Sequence, residues 1–299
     1  MPSNSAAKCR LVVTALAALA AAGWHSRELA AQANDDVSAL GLGGGLMIRN
    51  MRPTGQPVAP IYDGWYFEPD GSVSLCFGYQ SLNLEEDVDV PLGPDNFIEP
   101  SGLDGGQPTH FDEVPPEYRR RTCVFTVPVV SVEDVEAVVW TLTTRGIRLS
   151  AKASGLPYYR IDEPNQASRS SHAPSVTVVE PAVGRAVLGR SGRVDHAMEI
   201  QARVDERVAL AVRAVAAPGA PTDMVVRMLW TLHQGPGGVT IEGEDATVSG
   251  VSEVRHVTAA RFSMPGEYVL RLQAAEWSEG NSFHFHCCFT NAYVRVSVR

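Results

Sequence analysis

Apolar and polar positions alternate with a period of two along much of the chain after Ile61. That spacing marks strands with one face turned to a core. After the turn at Pro265-Gly266, Tyr268, Leu270 and Leu272 fall on one face, and Glu267, Val269 and Arg271 on the other. Val226, Met228, Trp230 and Leu232 share a face, as do Val294, Val296 and Val298 near the C-terminus. Earlier, Gly64-Trp65-Tyr66-Phe67 leads into the turn Pro69-Asp70-Gly71. Val73, Leu75, Phe77 and Tyr79 then alternate with Ser72, Ser74, Cys76 and Gly78. This predicts a hairpin with one apolar face.

Further strands are expected at Cys123–Val127, Val138–Leu142 and Ile147–Ala151, and then at Ser175–Val179, Met198–Val204, Val225–Leu232, Val254–Phe262, Glu267–Ala274 and Ala292–Val298. Val208–Ala217 is rich in alanine and could be a helix. Its β-branched valines and missing caps make a strand at least as good a reading. Short strands at this spacing with little helix predict an all-β protein built as two β-sandwiches.

Punctuation along the chain sets the expected domains. Residues 34–56 contain Gly41-Leu42-Gly43-Gly44-Gly45 followed by Pro53 and Pro57, and read as a flexible linker. A dinucleotide fingerprint would need a strand before the glycines and a helix after them. Residues 57–160 form an expected first sandwich, carrying a long loop over 82–111 with many turn residues. Loops of that length are usually functional or disordered. Arg160–Pro174 is polar and marks the boundary to a second sandwich over 173–299.

The first residues change the setting. Lys8 and Arg10 precede an apolar stretch, Leu11–Ala22, and Ala31-Gln32-Ala33 fits a small-x-small cleavage site. This reads as a signal peptide over 1–33, with an apolar run of about 12 residues where a membrane helix needs roughly 20. The expected setting is periplasmic or secreted, with no membrane span in the mature chain. The full chain carries a net charge of −9; residues 1–33 hold Lys8, Arg10 and Arg27 against Glu28, so the remainder carries −11. Nucleic acid demands a basic footprint, and this balance argues against it.

Residues 173–299 resemble bacterial extracellular immunoglobulin-like domains of the PKD type. The resemblance rests on Ala173-Pro174-Ser175-Val176, Trp230, Gly235-Pro236-Gly237, the Phe262–Leu272 run and the final valine strand. Within that run, Gly-Glu-Tyr-Val-Leu resembles a tyrosine corner, with Leu270 where an antibody domain has its second cysteine. The first half, with its Gly64-Trp65-Tyr66 hairpin and Leu92-Gly93-Pro94-Asp95-Asn96 loop, looks like exported bacterial proteins without an assignable activity. The resemblance implies a spacer, adhesive or binding module and adds little on chemistry.

Candidate chemistry lies in a few places. Phe283-His284-Phe285-His286-Cys287-Cys288-Phe289 is the densest cluster, beside the expected last connection. His284 and His286 would share one face of an extended segment, and imidazole with thiolate suits copper or zinc. Adjacent Cα atoms lie about 3.8 Å apart, below the usual lower limit of about 4.4 Å for a disulfide. Cys287 and Cys288 are therefore open to pairing with distant cysteines, to a distorted mutual bond, to free thiols or to metal. Cys76 and Cys123 offer a simpler pair on two strands of the first sandwich. An exported setting favours oxidation.

Glu85, Glu86, Asp87 and Asp89, with Asp95 and Asp104 beyond, could supply oxygen ligands to calcium but lack EF-hand spacing. Trp65, Tyr66, Tyr79 and Trp277 could form a flat platform for a sugar, of which Trp65, Tyr66 and Trp277 are the main candidates. His110, Asp112 and Glu113 make an acid–base grouping by sequence proximity alone. Gly-x-Ser-x-Gly, His-Glu-x-x-His and Cys-x-x-Cys-His do not occur, and no catalytic residue is assigned. The expected function is an exported, non-catalytic binding or structural module, cell-surface or glycan-associated, with an unidentified protein or glycan partner. The alternatives are a polysaccharide hydrolase with a cleft at the 82–111 loop, and a soft-metal protein using residues 284–288.

Overall fold

The computed structural model describes residues 53–68, 70–113, 120–161, 173–181, 184–188, 193–216, 223–276 and 289–299. Residues 52–299 make one compact unit. The signal-peptide and linker readings up to residue 52 lie outside the described residues, as do Trp277, His284, His286, Cys287 and Cys288.

The first half contains β1 (Val58–Phe67), β2 (Val73–Ser81), β3 (Val88–Asp89), β4 (Asn96–Glu99), β5 (His110–Phe111), β6 (Arg120–Val129), β7 (Val139–Thr144) and β8 (Ile147–Lys152). One sheet runs β1-β2-β6 and a second β4-β7-β8, with a two-stranded ladder β3-β5 between them in sequence. Phe77, Phe125, Ile98, Trp140 and Leu142 come from both larger sheets and close one buried core. The Trp140 indole edge meets the Phe125 ring at 5.1 Å, and its N–H donates to Asn96 Oδ1 at 3.0 Å, so the largest core side chain is satisfied.

The second half contains β9 (Ser175–Glu180), β10 (Arg185–Leu188), β11 (Met198–Ala202), β12 (Val208–Val215), β13 (Asp223–Gln234), β14 (Val239–Ile241), β15 (Asp245–Val251), β16 (Glu253–Phe262), β17 (Gly266–Glu276) and β18 (Phe289–Val298). Two five-stranded sheets, β10-β9-β12-β16-β14 and β11-β18-β17-β13-β15, enclose a common core. With β9, β12, β16 and β14 in one layer and β13, β17 and β18 in the other, this is the strand order of an immunoglobulin sandwich. The ambiguous segment is strand β12. Val208, Leu210, Val212 and Ala214 alternate inward, paired with β16 on one side and β9 on the other.

The expected tyrosine corner is present. The Tyr268 hydroxyl donates to the Met264 carbonyl at 2.8 Å, and Leu270 is fully buried two residues on. Gly235 faces the ring. Its φ is +148°, and a Cβ there would lie 2.6 Å from Tyr268 Cδ1, so only glycine fits.

One expectation needs correction. Alternation predicted that β17 shows its second face to solvent, yet Val269 and Arg271 are each only 3% exposed. On β18 every residue from Phe289 to Val294 is buried. The outer face of this sheet is covered by the first half of the chain.

Candidate functional site

The sheet face of β13, β17 and β18 that the first half covers carries the buried polar side chains His233, Arg271 and Asn291. Several chain segments build it. In the first half, β3 pairs with β5 so that Asp89 stands opposite His110. This pairing brings the acidic stretch of the long loop onto the histidine. His110 Nδ1 lies 2.7 Å from Asp89 Oδ1, and its Nε2 lies 3.7 Å from both Asp87 Oδ2 and Asp112 Oδ1. The Glu113 backbone N–H donates to Asp87 Oδ1 at 2.7 Å. Of the grouping seen in sequence, His110 and Asp112 are neighbours in space, joined by Asp87 and Asp89 from more than twenty positions upstream, while Glu113 takes part through its backbone N–H.

Deeper in, the Tyr79 hydroxyl donates to Asp112 Oδ2 at 3.3 Å and accepts the Asp112 N–H at 3.2 Å. Arg121 reaches the same carboxylate at 3.8 Å. Burial pushes the Asp112 carboxyl above the ordinary carboxylate range, opposed by the charges of Arg121, His110 and Arg271. Burial likewise pushes the Tyr79 hydroxyl up.

The second half presents its own polar groups to this surface. The Tyr293 hydroxyl donates to the Val124 carbonyl at 2.6 Å, and Asn291 Nδ2 to the Cys123 carbonyl at 2.9 Å. His233 Nε2 bonds the Gly106 carbonyl at 2.9 Å, so that nitrogen carries the proton. Burial lowers the His233 pKa to about 3, which holds the ring neutral. Gln234 Nε2 donates to the carbonyls of Gly105 at 2.9 Å and Gln107 at 2.7 Å. The Thr109 N–H donates to the His233 carbonyl at 2.8 Å, and the Gly235 N–H to Thr109 Oγ1 at 3.1 Å. The 104–111 part of the long loop is therefore laid along the end of β13 by backbone and side-chain hydrogen bonds.

The disulfide anchors the same junction. Cys76 and Cys123 are bonded, and they pack in one buried cluster with Tyr66 of the first half and Phe289 of the second. Cys123 has a φ of +45°, unusual for a non-glycine residue. Its N–H donates to Asp63 Oδ2 at 2.7 Å. Asp63 also pairs with Arg120. Gly78 lets these chains approach, since a Cβ there would lie 2.1 Å from the Arg121 carbonyl oxygen.

The other candidates are placed as follows. Trp65 and Tyr66 are 5% and 4% exposed, so neither presents a ring face to solvent. The Trp65 indole N–H donates to the Leu156 carbonyl at 3.3 Å, and Arg160 lies over its ring. The exposed aromatic rings beside them are Phe67, Tyr158 and Tyr159. Among the acidic residues, Glu86 pairs with Arg145 and accepts the Gly55 N–H at 2.6 Å. Asp104 Oδ1 accepts the Ile98 N–H at 2.9 Å. Among the described residues no three His, Cys, Asp or Glu side chains converge as a metal-holding group. Also among the described residues, no helix is long and apolar enough to cross a membrane. Sequence reasoning missed Arg121, His233, Arg271, Asn291 and Tyr293. The available signal was polar and aromatic residues on the outward face of otherwise core strands.

No protein-family model and no curated protein matches the chain. Among solved structures, the D0-D1 domain of Intimin is similar over 80% of this chain and 97% of its own, at 11% identity and a TM-score of 0.25. The D00-D0 domain of Intimin matches over 80% and 99%, at 12% identity and 0.25. WR4, an MSP family member of C. elegans, matches over 33% and 92%, at 9% identity and 0.25. Likenesses this low carry no functional weight.

Proposed function

We propose that the chain is an exported, non-catalytic β-sandwich module whose two sandwiches act as one rigid body, holding or presenting a surface outside the cytoplasm. The junction is the observation that carries this reading. Tyr293, Asn291, His233 and Gln234 of the second sandwich each donate a side-chain hydrogen bond to a backbone carbonyl of the first. Bonds of this kind fix orientation without leaving donors free for chemistry. A flexible pair of domains would show a smaller interface without such convergence.

The side chains of the long loop support the same reading. A glycosidase cleft sets two carboxylates facing each other across the scissile bond at about 5–10 Å. Here Asp87 and Asp89 turn onto His110, Glu86 onto Arg145, and Asp104 onto a backbone N–H of its own loop. The test is a panel of cell-wall and algal glycans, with binding and release of reducing ends measured together on the purified chain. Binding without release, or neither, is expected. Sustained turnover that disappears in Asp87→Asn or Asp112→Asn would overturn the reading.

A further inference from the structure

Three Phe and Tyr side chains are exposed among the described residues, and all lie on one margin of the first sandwich. They are Phe67, Tyr158 and Tyr159, at 37%, 75% and 36% exposure. Leu156, also exposed, lies with them. Single apolar side chains are normal on a protein surface, whereas several gathered at one place mark a site of contact.

β1 builds this margin. It is an edge strand of its sheet, and residues 156–161 run beside it. Arg160 bridges Trp65 in the parallel sense, and the Ile161 N–H donates to the Trp65 carbonyl at 2.9 Å. A register shift between Tyr62 and Gly64 lets Tyr62 and Trp65 pack on the same core. The neighbouring segment then stacks in order along the strand. Tyr159 meets Tyr62 at 5.5 Å between ring centroids, and Tyr158 continues the row 4.7 Å from Tyr159. The Arg160 guanidinium carbon lies 5.9 Å from the Trp65 ring centroid and 5.1 Å from that of Phe67. From Tyr62 to Phe67 the row spans roughly 16 Å at a strand's rise per residue.

The buried rings hold the platform and the exposed groups are left for an outside partner. The Tyr62 hydroxyl donates to the Ser154 carbonyl at 3.1 Å and the Trp65 indole N–H to that of Leu156 at 3.3 Å. Glu136, on the near rim, accepts from Ser154 Oγ at 3.0 Å and pairs with Lys152 at 3.3 Å. Among the described residues no carboxylate pairs with Arg160, which is held by stacking and keeps N–H donors to offer. Size decides the class of partner. A stable protein interface takes about 800 Å² and about 20–30 residues a side, and this patch is a few side chains around one cation. A line of flat rings with polar edges matches the apolar faces and hydroxyl edges of sugar rings joined end to end.

We infer that this margin binds an extended polysaccharide, with pyranose faces stacked on Tyr158 and Tyr159 and sugar oxygens accepting from Arg160. The inference rests on the module reading and deepens it by naming the ligand class and the residues that hold it.

The experiment is isothermal titration calorimetry of the purified chain with oligogalacturonate and with a cello-oligosaccharide of equal length. Both should bind, the uronate about tenfold more tightly, because a guanidinium–carboxylate bond is charge-assisted. Tyr158→Ala alters an exposed side chain, so it should keep the wild-type Tm while weakening both ligands roughly tenfold. Arg160→Gln should erase the preference for the uronate. Failure of both oligomers to bind at millimolar concentration overturns the inference. So does wild-type affinity in Tyr158→Ala, or a uronate preference that survives Arg160→Gln. Sedimentation of the same proteins tests the rival occupant: self-association of the wild type that Tyr158→Ala abolishes would assign the margin to a second copy and overturn the inference. Reducing ends are assayed in the same samples. Their release would contradict the module reading whether or not the platform binds, so the two failures are told apart.

Discussion

The hydroxyl of Tyr293 donates a 2.6 Å hydrogen bond to the carbonyl of Val124, tying the last strand of the second sandwich to the disulfide-bearing strand of the first. Both residues are buried. Tyr293→Phe would leave a buried carbonyl without its partner while preserving the ring against His233. The expected cost is about 1–3 kcal/mol, read as a lower denaturation midpoint with an unchanged slope. A cost near zero would mean that the junction opens to water at this point.

The corner hydrogen bond from Tyr268 to Met264 is local to the second sandwich. Tyr268→Phe keeps the ring packed on Phe262 at 4.7 Å between centroids. It should cost about 1 kcal/mol, additive with Tyr293→Phe because the two bonds share no partner. A double variant measured by urea unfolding checks this.

Alternation made much of the fold legible. It placed the core faces of β13, β17 and β18, and the corner at Tyr268, because a period of two needs only local sequence to be read. It did not show that the other face of β17 is covered. Glu267, Val269 and Arg271 look like a solvent face, and a strand cannot report what a distant segment lays upon it. The candidate site was hidden for the same reason. His110 and Asp112 are visible together, but Asp87 and Asp89 join them only through the β3–β5 ladder, and His233 only through the docking of the 104–111 segment. Cys76 and Cys123 were readable as a pair because each sits in a strand of the same predicted sandwich.

The buried histidine sets an acid limit. His233 has a pKa of about 3 when folded, against about 6.5 when unfolded. The unfolded chain therefore takes up the proton first. Stability is full above about pH 6.5 and falls as pH drops towards 3, reaching about 2 kcal/mol of loss at pH 5 relative to pH 8. Asp112 acts in the opposite sense, since its raised carboxyl costs stability at neutral pH that is recovered as it protonates. His233→Gln keeps a donor for the Gly106 carbonyl and removes the titration. Denaturant midpoints of the two proteins across pH 5–8 should differ in slope, flatter for the variant. Equal slopes would contradict the placement of His233.

The Cys76–Cys123 bond closes a long loop and also positions the carbonyl that Asn291 uses. Loop-closure entropy gives it roughly 3–4 kcal/mol. A Cys76→Ala/Cys123→Ala double variant should lose about that much. It should also weaken the Asn291 contact, so that adding Asn291→Ala costs less in the double variant than in the wild type.

Differential scanning calorimetry of the whole chain tests the central claim most directly. If the junction joins the two sandwiches into one rigid body, residues 52–299 unfold in a single transition, with calorimetric and van't Hoff enthalpies that agree. Two resolved transitions in the wild type, or a calorimetric enthalpy near twice the van't Hoff value, would contradict it.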